Sequence, residues 1–128
     1  MSTAQRFGGV NRVVNAEDWT VRPKVSRHAE LRWLQRGHDF NLTAEDAWVE
    51  GYPVGVPTHY GKGRIHPPTG TILLSREGVI VTVVKDGYIP YRDDHLLRCG
   101  GCELRFQPRA GNRRCPWCDH DCGKEEAQ

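Results

Sequence analysis

The chain has no long apolar run. Only 38% of its 128 residues are hydrophobic, and no segment approaches the roughly 18 consecutive apolar residues that a membrane-spanning helix needs. The opening residues, MSTAQRFGGVNRVV, lack the apolar core of a signal peptide. We therefore expect a soluble, cytoplasmic protein without a membrane partner.

Several catalytic motifs are also missing. The sequence contains no glycine-rich nucleotide-binding motif, no HExxH and no Ser-His-Asp order, which argues against NTPase, zinc-peptidase and serine-hydrolase chemistry. The formal charge of +2 and the pI near 8.3 are too mild to indicate a nucleic-acid-binding protein by themselves. Evidence for nucleic-acid binding must therefore come from the distribution of charge along the chain.

Acidic residues are absent between Glu50 and Glu77. This interval contains the basic stretch THYGKGRIH, residues 58–66, and residues 52–70 hold four Pro and four Gly. That composition excludes a helix and predicts extended or looped chain. We interpret the stretch as a phosphate-facing loop; the alternative is a solvent-exposed connector.

Cysteine is absent before position 99, and four of the five Cys then form two CxxC pairs separated by 12 residues. This spacing predicts a structural zinc ribbon with four thiolate ligands and no open position for a catalytic water. A thioredoxin-type motif would explain one pair, and a disulfide framework would need an oxidising compartment. Cys122 and His120 are left over. We interpret Cys122 as a spare thiol on a frayed tail; the alternative is that it replaces Cys118 as a ligand in an apo or misloaded form. The predicted zinc ligands are Cys99, Cys102, Cys115 and Cys118.

The ribbon is basic. Between positions 98 and 114 it has five Arg against one acidic residue, Glu103. Guanidinium groups pair with phosphates, so this region is a candidate nucleic-acid surface, with Phe106 and Trp117 as aromatic neighbours. The alternative is that Phe106 forms the ribbon core and the arginines solvate it. The candidate phosphate-binding residues of the ribbon are Arg105, Arg109, Arg113 and Arg114.

Local signals predict two helices and a hairpin. Ser26 caps a helix over residues 27–36, and Thr43 with Asp46 forms a capping box for a helix over residues 44–50. TILLS and VIVTVV flank Arg76-Glu-Gly78 as a hairpin, with strict alternation of faces along the second strand.

The expected fold is α+β, with two N-terminal helices packed on a small antiparallel sheet and followed by a four-cysteine zinc ribbon. The expected organisation is a partly ordered arm over 1–24, with a short strand at 10–14, an α+β domain over 25–95, the ribbon over 96–123 and a tail over 124–128.

On the first helix, His28, Arg32 and Arg36 recur every four residues and so lie along one line. Leu31, Trp33 and Leu34 are expected on the opposite, buried side. Such a stripe can hold a phosphate and move a proton. The alternative is an ordinary solvated helix face.

Residues 25–90 resemble the RelE-like and BrnT-like toxin endoribonucleases, especially relatives that begin with a Ser/Thr-x-His-Ala-x-x-Arg helix ending in Arg-Gly. The chain departs from that pattern by its ribbon, which suggests a recognition role, and by Pro67 and Pro68, which leave the catalytic set open. The residues that carry the resemblance are Ser26, His28, Ala29, Arg32, Arg36, Gly37, the helix TAEDA (43–47) and the strand VIVTVV (79–84).

The resemblance implies metal-independent RNA cleavage, in which a 2′-hydroxyl attacks the adjacent phosphate. His28 or His66 would move protons, while Arg32, Lys62 and Arg64 would stabilise the phosphorane and Thr82 would bond a phosphate oxygen. Arg36 and Lys62 would also bind nucleic acid. The implied partners are RNA rather than DNA, and a neutralising protein.

Two further interpretations stay open: a non-catalytic adaptor for nucleic acid or protein, and a regulator that dimerises through its ribbon. Convergence of His28 and His66 on one phosphate-sized pocket would favour the enzyme; wide separation would favour the adaptor.

Overall fold

The computed structural model describes residues 22–37, 41–109 and 112–123. The chain divides into two compact units, with the boundary between Arg92 and Asp93, a few residues before the expected start of the ribbon. Most of the predicted N-terminal arm, including the strand expected at 10–14, and the tail over 124–128 lie outside the described residues. Neither described helix has the length and apolarity needed to cross a bilayer.

The two helices of the first unit lie where their caps predict. Helix α1 spans Arg27–Arg36, and the Ser26 side chain accepts a hydrogen bond from the Ala29 N–H. Helix α2 spans Ala44–Glu50 and begins with a complete capping box of Thr43 and Asp46. Both are shorter than the roughly 12 to 15 residues at which isolated helices become stable in water, so packing on the sheet must hold them.

The described residues of the first unit form a sheet of five strands: β1 Lys24–Val25, β2 Tyr52–Val54, β3 Lys62–His66, β4 Thr71–Arg76 and β5 Val79–Lys85. Their order in the sheet is β1-β5-β4-β3-β2. Three neighbouring pairs are antiparallel, but β1 pairs with β5 in parallel. The sheet is therefore mixed, and the expectation of an antiparallel sheet was wrong at this edge. Strand β1 has only two residues and leads directly into α1, so its sequence shows no alternation of polar and apolar residues from which a strand could be predicted.

The β4–β5 hairpin is confirmed, with a two-residue turn at Glu77 and Gly78. Both residues have positive φ, 54° and 82°, as a type I′ turn requires. Strict alternation along β5 was wrong, because the register shifts between Leu74 and Ser75. Ile80 and Val83, three residues apart, consequently share one core cluster with the helices.

The stretch THYGKGRIH is not a loop. Thr58–Tyr60 forms a turn of 3₁₀ helix, and residues 62–66 form strand β3, which pairs with both β2 and β4. A Cβ on Gly63 would lie 2.4 Å from Val56 Cγ1, so glycine permits a close backbone approach there instead of marking a loop. Pro53 is accommodated because β2 is an edge strand.

Helix α1 buries a different face from the expected one. Ala29 and Trp33 are buried, while Leu31 and Leu34 are 51% and 60% exposed. The line of His28, Arg32 and Arg36 therefore borders the buried stripe, and both ends of that line contact β5. Placing both leucines in the core was wrong, because the buried contact of α1 centres on Ala29 and Trp33.

The second unit contains a two-stranded antiparallel ribbon. Strand β6 (Leu97–Arg98) pairs with β7 (Arg105–Phe106). Phe106 is fully buried, and the Trp117 indole N–H donates to the Arg105 carbonyl over 2.8 Å. Both aromatics are thus part of the packing of this unit.

Candidate functional site

His28 lies at the N-terminal end of α1, where it meets β5. Its Nε2 is 3.3 Å from Thr82 Oγ1, a contact between residues 54 positions apart. The ring is exposed, and no described residue forms a hydrogen bond with its Nδ1. The structure thus brings together two of the residues predicted to be catalytic and leaves one imidazole nitrogen available to a substrate.

Arg32 and Arg36 follow His28 along the helix, with different surroundings. Arg32 Nη1 donates to Gln35 Oε1 over 2.6 Å at the surface. Arg36 Nη1 donates to the Val83 carbonyl over 2.8 Å, and its guanidinium lies 5.8 Å from the centre of the Tyr88 ring. Arg36 therefore ties the end of α1 to β5, whereas a surface hydrogen bond such as that of Arg32 can be exchanged for a phosphate.

Arg64 points into the core and is only 2% exposed. Its Nη1 donates to the Trp48 carbonyl over 2.7 Å, and its guanidinium stacks 4.8 Å from the Trp48 ring centre. Burial lowers the pKa of Arg64 to about 10. A group so enclosed cannot stabilise a phosphorane at the surface.

His66 is likewise buried, with 1% of its surface exposed. Its Nε2 lies 2.8 Å from Glu50 Oε1 and its Nδ1 lies 2.8 Å from Thr69 Oγ1. These partners differ from those of His28, and His66 lies on β3 while His28 contacts β5. The two histidines therefore do not form the shared phosphate pocket that the enzyme interpretation required.

Glu50 was missed by the sequence-based prediction. It ends α2 and pairs with His66 across 16 positions, so no local pattern connects the two. Lys62, by contrast, is exposed at the start of β3 opposite Ser75, as a nucleic-acid contact requires.

The four ribbon cysteines converge in the second unit. Their Sγ atoms all lie within 4.8 Å of one another, with 3.5 Å between Cys99 and Cys118 and 3.8 Å between Cys102 and Cys115. Four thiolates about 2.3 Å from one tetrahedral ion would be about 3.8 Å apart. The cluster therefore fits a closed metal site.

Two matching turns supply backbone hydrogen bonds to these sulfurs. Cys99 Sγ accepts from the N–H groups of Gly101 and Cys102 at 3.2 and 3.5 Å. At the second pair, Cys115 Sγ accepts from Trp117 at 3.4 Å and from Cys118. Such donors stabilise negative charge on sulfur, which a metal-bound thiolate carries.

The thiol pKa values are unequal. Burial of the Cys99 sulfur would raise its pKa, but the N–H groups of Cys102 and Gly101, together with the neighbouring side chains of Cys118 and Cys122, outweigh that effect and lower it to about 6. Burial raises the pKa of Cys115. Metal binding must therefore displace protons from some of these thiols, which makes it pH-dependent.

Cys122 is not on a frayed tail. It is 2% exposed, its backbone N–H donates to the Arg113 carbonyl over 3.0 Å, and its thiol donates to the His120 carbonyl over 3.9 Å. Cys122 is outside the four-cysteine cluster, as expected of a spare thiol, but the expectation of a frayed tail was wrong at this residue because the chain folds back across the ribbon after Cys118.

The ribbon arginines differ in their availability. Arg105 is half-buried in an ion pair with Asp93, and Arg114 lies 3.5 Å from Asp119 Oδ2 at the surface. Arg109 and Arg113 are exposed. Arg105 is thus committed to folding, while the other three remain candidates for phosphate contact.

Comparison with known proteins gives one family. No curated protein and no solved structure matched the chain. Residues 25–86, just under half of the chain, match the model of a family described as "Putative RelE superfamily toxin domain", and this segment runs from the end of β1 past the end of β5 and includes His28 and Thr82.

Proposed function

We propose that this protein is an RNA-directed, metal-independent endoribonuclease of the toxin type, with a zinc ribbon that contributes to RNA binding. The observation that carries the proposal is the exposed His28–Thr82 contact within the segment that matches the toxin family.

In the proposed reaction, His28 accepts the proton of a 2′-hydroxyl as that oxygen attacks the adjacent phosphorus. The bond from phosphorus to the 5′-oxygen breaks, leaving a 2′,3′-cyclic phosphate and a 5′-hydroxyl that takes its proton from solvent. Arg32, one helical turn from His28, pairs with the phosphate in place of Gln35. Thr82 orients the His28 ring, a positioning role in place of the phosphate contact first expected of it.

The test is an RNA-cleavage time course in EDTA, which silences contaminating metal-dependent nucleases, with retained zinc checked afterwards. We expect His28→Ala to lower the rate by about 10²- to 10⁴-fold and Thr82→Val by about tenfold, through loss of one orienting hydrogen bond. Melting curves should change little, because surface substitutions typically cost within about 0.5 kcal/mol.

Matched controls are present in the chain. His59 is an exposed histidine on the 3₁₀ turn, and Arg27 is an exposed arginine on α1. His59→Ala and Arg27→Ala should cleave at the wild-type rate, while Arg32→Ala should not. Equal losses at His28 and His59 would show a general effect of histidine removal and would contradict the assignment.

A non-catalytic RNA-binding adaptor is the second candidate. The burial of Arg64 and His66 favours it, since these two residues were predicted to be catalytic and cannot reach a phosphate. Wild-type protein that binds RNA but never cuts it would establish the adaptor in place of the enzyme.

The ribbon's part in binding has its own test. Changing Arg109, Arg113 and Arg114 together to Gln should reduce the slope of log affinity against log salt by about 2, if all three contact single-stranded RNA. Arg105→Gln is excluded from this set because loss of its ion pair with Asp93 would disturb the ribbon. An unchanged slope would show that these arginines do not meet phosphates.

Zinc is the metal we propose for the four-cysteine cluster, because an all-thiolate tetrahedral set suits it and leaves no open coordination position. The ion would supply the folding energy of a unit with a very small core. A neutralising protein partner also belongs to the proposal. Leu31, exposed three residues from His28 on the helix, would let such a partner cover both.

A further inference from the structure

A cavity of about 390 Å³ opens in the first unit beside the β4–β5 turn. This size lies within the range of small-ligand sites, which begins at about 300 Å³. None of the functional assignments above accounts for it. The residues that matter for its chemistry are Arg22, Pro23, Trp48, Lys62, Ser75 and Glu77.

The strand order sets the width of this cavity. Arg22 and Pro23 precede β1, and Lys62 begins β3, with β5 and β4 between them. Neighbouring strands are about 4.8 Å apart, so β1 and β3, which carry or adjoin lining residues at opposite sides of the cavity, lie about 14 Å apart. Pro23 and the edge of Trp48, which is 4% exposed, supply apolar wall.

The polar groups of the cavity differ in charge and position. Arg22 is bonded to Glu45 and Asp46 at 3.1 and 2.9 Å, so acidic residues of α2 balance its charge. Lys62 and Glu77 are both exposed, on β3 and on the hairpin turn. The cavity therefore offers an ammonium donor near one wall and a carboxylate acceptor at the turn.

We propose that this cavity binds one unpaired guanine of an RNA strand together with its phosphate. The guanine N1–H and N2–H₂ groups would donate to the two oxygens of Glu77, since a carboxylate accepts and cannot donate. The phosphate would meet Lys62, and the ring would lie against Pro23 and Trp48. Uracil has no exocyclic amine to donate and should bind more weakly. This inference rests on the proposed RNA substrate.

The experiment titrates the intact, metal-loaded chain with guanosine 3′-monophosphate and, separately, uridine 3′-monophosphate, following the Trp48 indole N–H signal by NMR. We expect guanosine 3′-monophosphate to bind about tenfold more tightly than uridine 3′-monophosphate, because one charge-assisted hydrogen-bonded pair contributes about that difference in affinity. Glu77→Gln should remove this preference, and Lys62→Gln should weaken both nucleotides about tenfold.

Two matched controls separate the site from general charge effects. Glu103 is an exposed glutamate that also has positive φ, but it lies in the second unit. Lys24 is an exposed lysine on β1. Glu103→Gln and Lys24→Gln should leave both affinities unchanged, and melting curves of all four variants should match the wild type.

Failure of this site is distinguishable from failure of the proposed cleavage. His28→Ala should bind guanosine 3′-monophosphate normally, because His28 does not line the cavity. Guanosine binding by a wild-type chain that never cuts RNA would support the cavity and remove the nuclease. Equal binding of both nucleotides, a preference that survives Glu77→Gln, or no binding would each overturn the guanine site, even if RNA is cleaved.

Discussion

Arg64 provides the sharpest test of whether a predicted catalytic cation is structural. Its guanidinium donates to the Trp48 carbonyl over 2.7 Å, and Trp48 belongs to the last turn of α2, where carbonyls lack a partner within the helix. The bond therefore links α2 to β3. Substitution of Arg64 should change stability and leave RNA chemistry to other residues.

The contribution of Arg64 to the free energy of unfolding is the difference between opposing effects. Burial lowers the Arg64 pKa to about 10, and this decrease, at about 1.4 kcal/mol per pKa unit, corresponds to about 3 kcal/mol against folding the charged form. The hydrogen bond contributes about 1.5 to 3 kcal/mol, and the stacking on Trp48 about 0.5 to 2 kcal/mol. These effects nearly cancel.

Arg64→Met keeps an unbranched apolar side chain. It removes the free-energy cost of burying the charge, and it also removes the hydrogen bond and the stacking contact with Trp48. It leaves the Trp48 carbonyl without its Arg64 donor, so we expect a loss of about 1 to 2 kcal/mol. Arg64→Ala adds a cavity and should cost about 3 to 4 kcal/mol. Arg27→Met, on the exposed side of α1, should cost less than about 0.5 kcal/mol.

Urea denaturation of the full, metal-loaded chain measures these differences, and the RNA-cleavage assay runs in parallel. Arg64→Met should retain wild-type cleavage under conditions where it is folded. A loss of cleavage beyond about 100-fold at unchanged stability would refute the reasoning, because a loss that large is typical of removing a group that acts on the reacting phosphate.

Cys115→Ser should abolish binding of the proposed zinc ion, expected at one per chain, and unfold residues 98–120 while the β4–β5 hairpin remains folded, as metal analysis and amide hydrogen exchange would show; protein purified under reducing conditions without any metal would contradict this. Lowering the pH should release the metal as the thiols protonate. The Asp46 pKa is lowered, first by the hydrogen bond from Arg22 and then by Thr43. Its contribution to stability is therefore complete above the ordinary carboxyl pKa and is lost as pH falls through the lowered value. The difference in melting temperature between wild type and Asp46→Asn should be largest near neutral pH and vanish in acid, and a difference independent of pH would exclude an ionised Asp46 as its source.

Local signals determined the elements that the sequence predicted correctly. Ser26 and Thr43 cap their helices through contacts three residues away, and the Glu77-Gly78 turn needs only two residues with positive φ. Two CxxC turns carry their own geometry, so their spacing was sufficient to predict a four-cysteine cluster. Interactions this short in sequence are present in any fold that contains the segment. The resemblance of the first unit to toxin nucleases also lay within continuous motifs, and a family match to residues 25–86 supports its RelE-like part.

Only the tertiary structure decided which polar residues face solvent. Arg64 bonds the Trp48 carbonyl, and His66 bonds Glu50, in both cases across 16 positions. His28 contacts Thr82 across 54 positions. Contacts between residues so far apart in sequence produce no periodic pattern from which they could be predicted. The basic character of THYGKGRIH suggested an exposed loop, but Gly63 lets β3 pack closely against Val56, and Arg64 and His66 lie inside. Whether a charged side chain is buried depends on what packs over it, and that cover comes from distant parts of the chain. The catalytic set remains a prediction, with His28 and Arg32 as the residues that the fold leaves accessible.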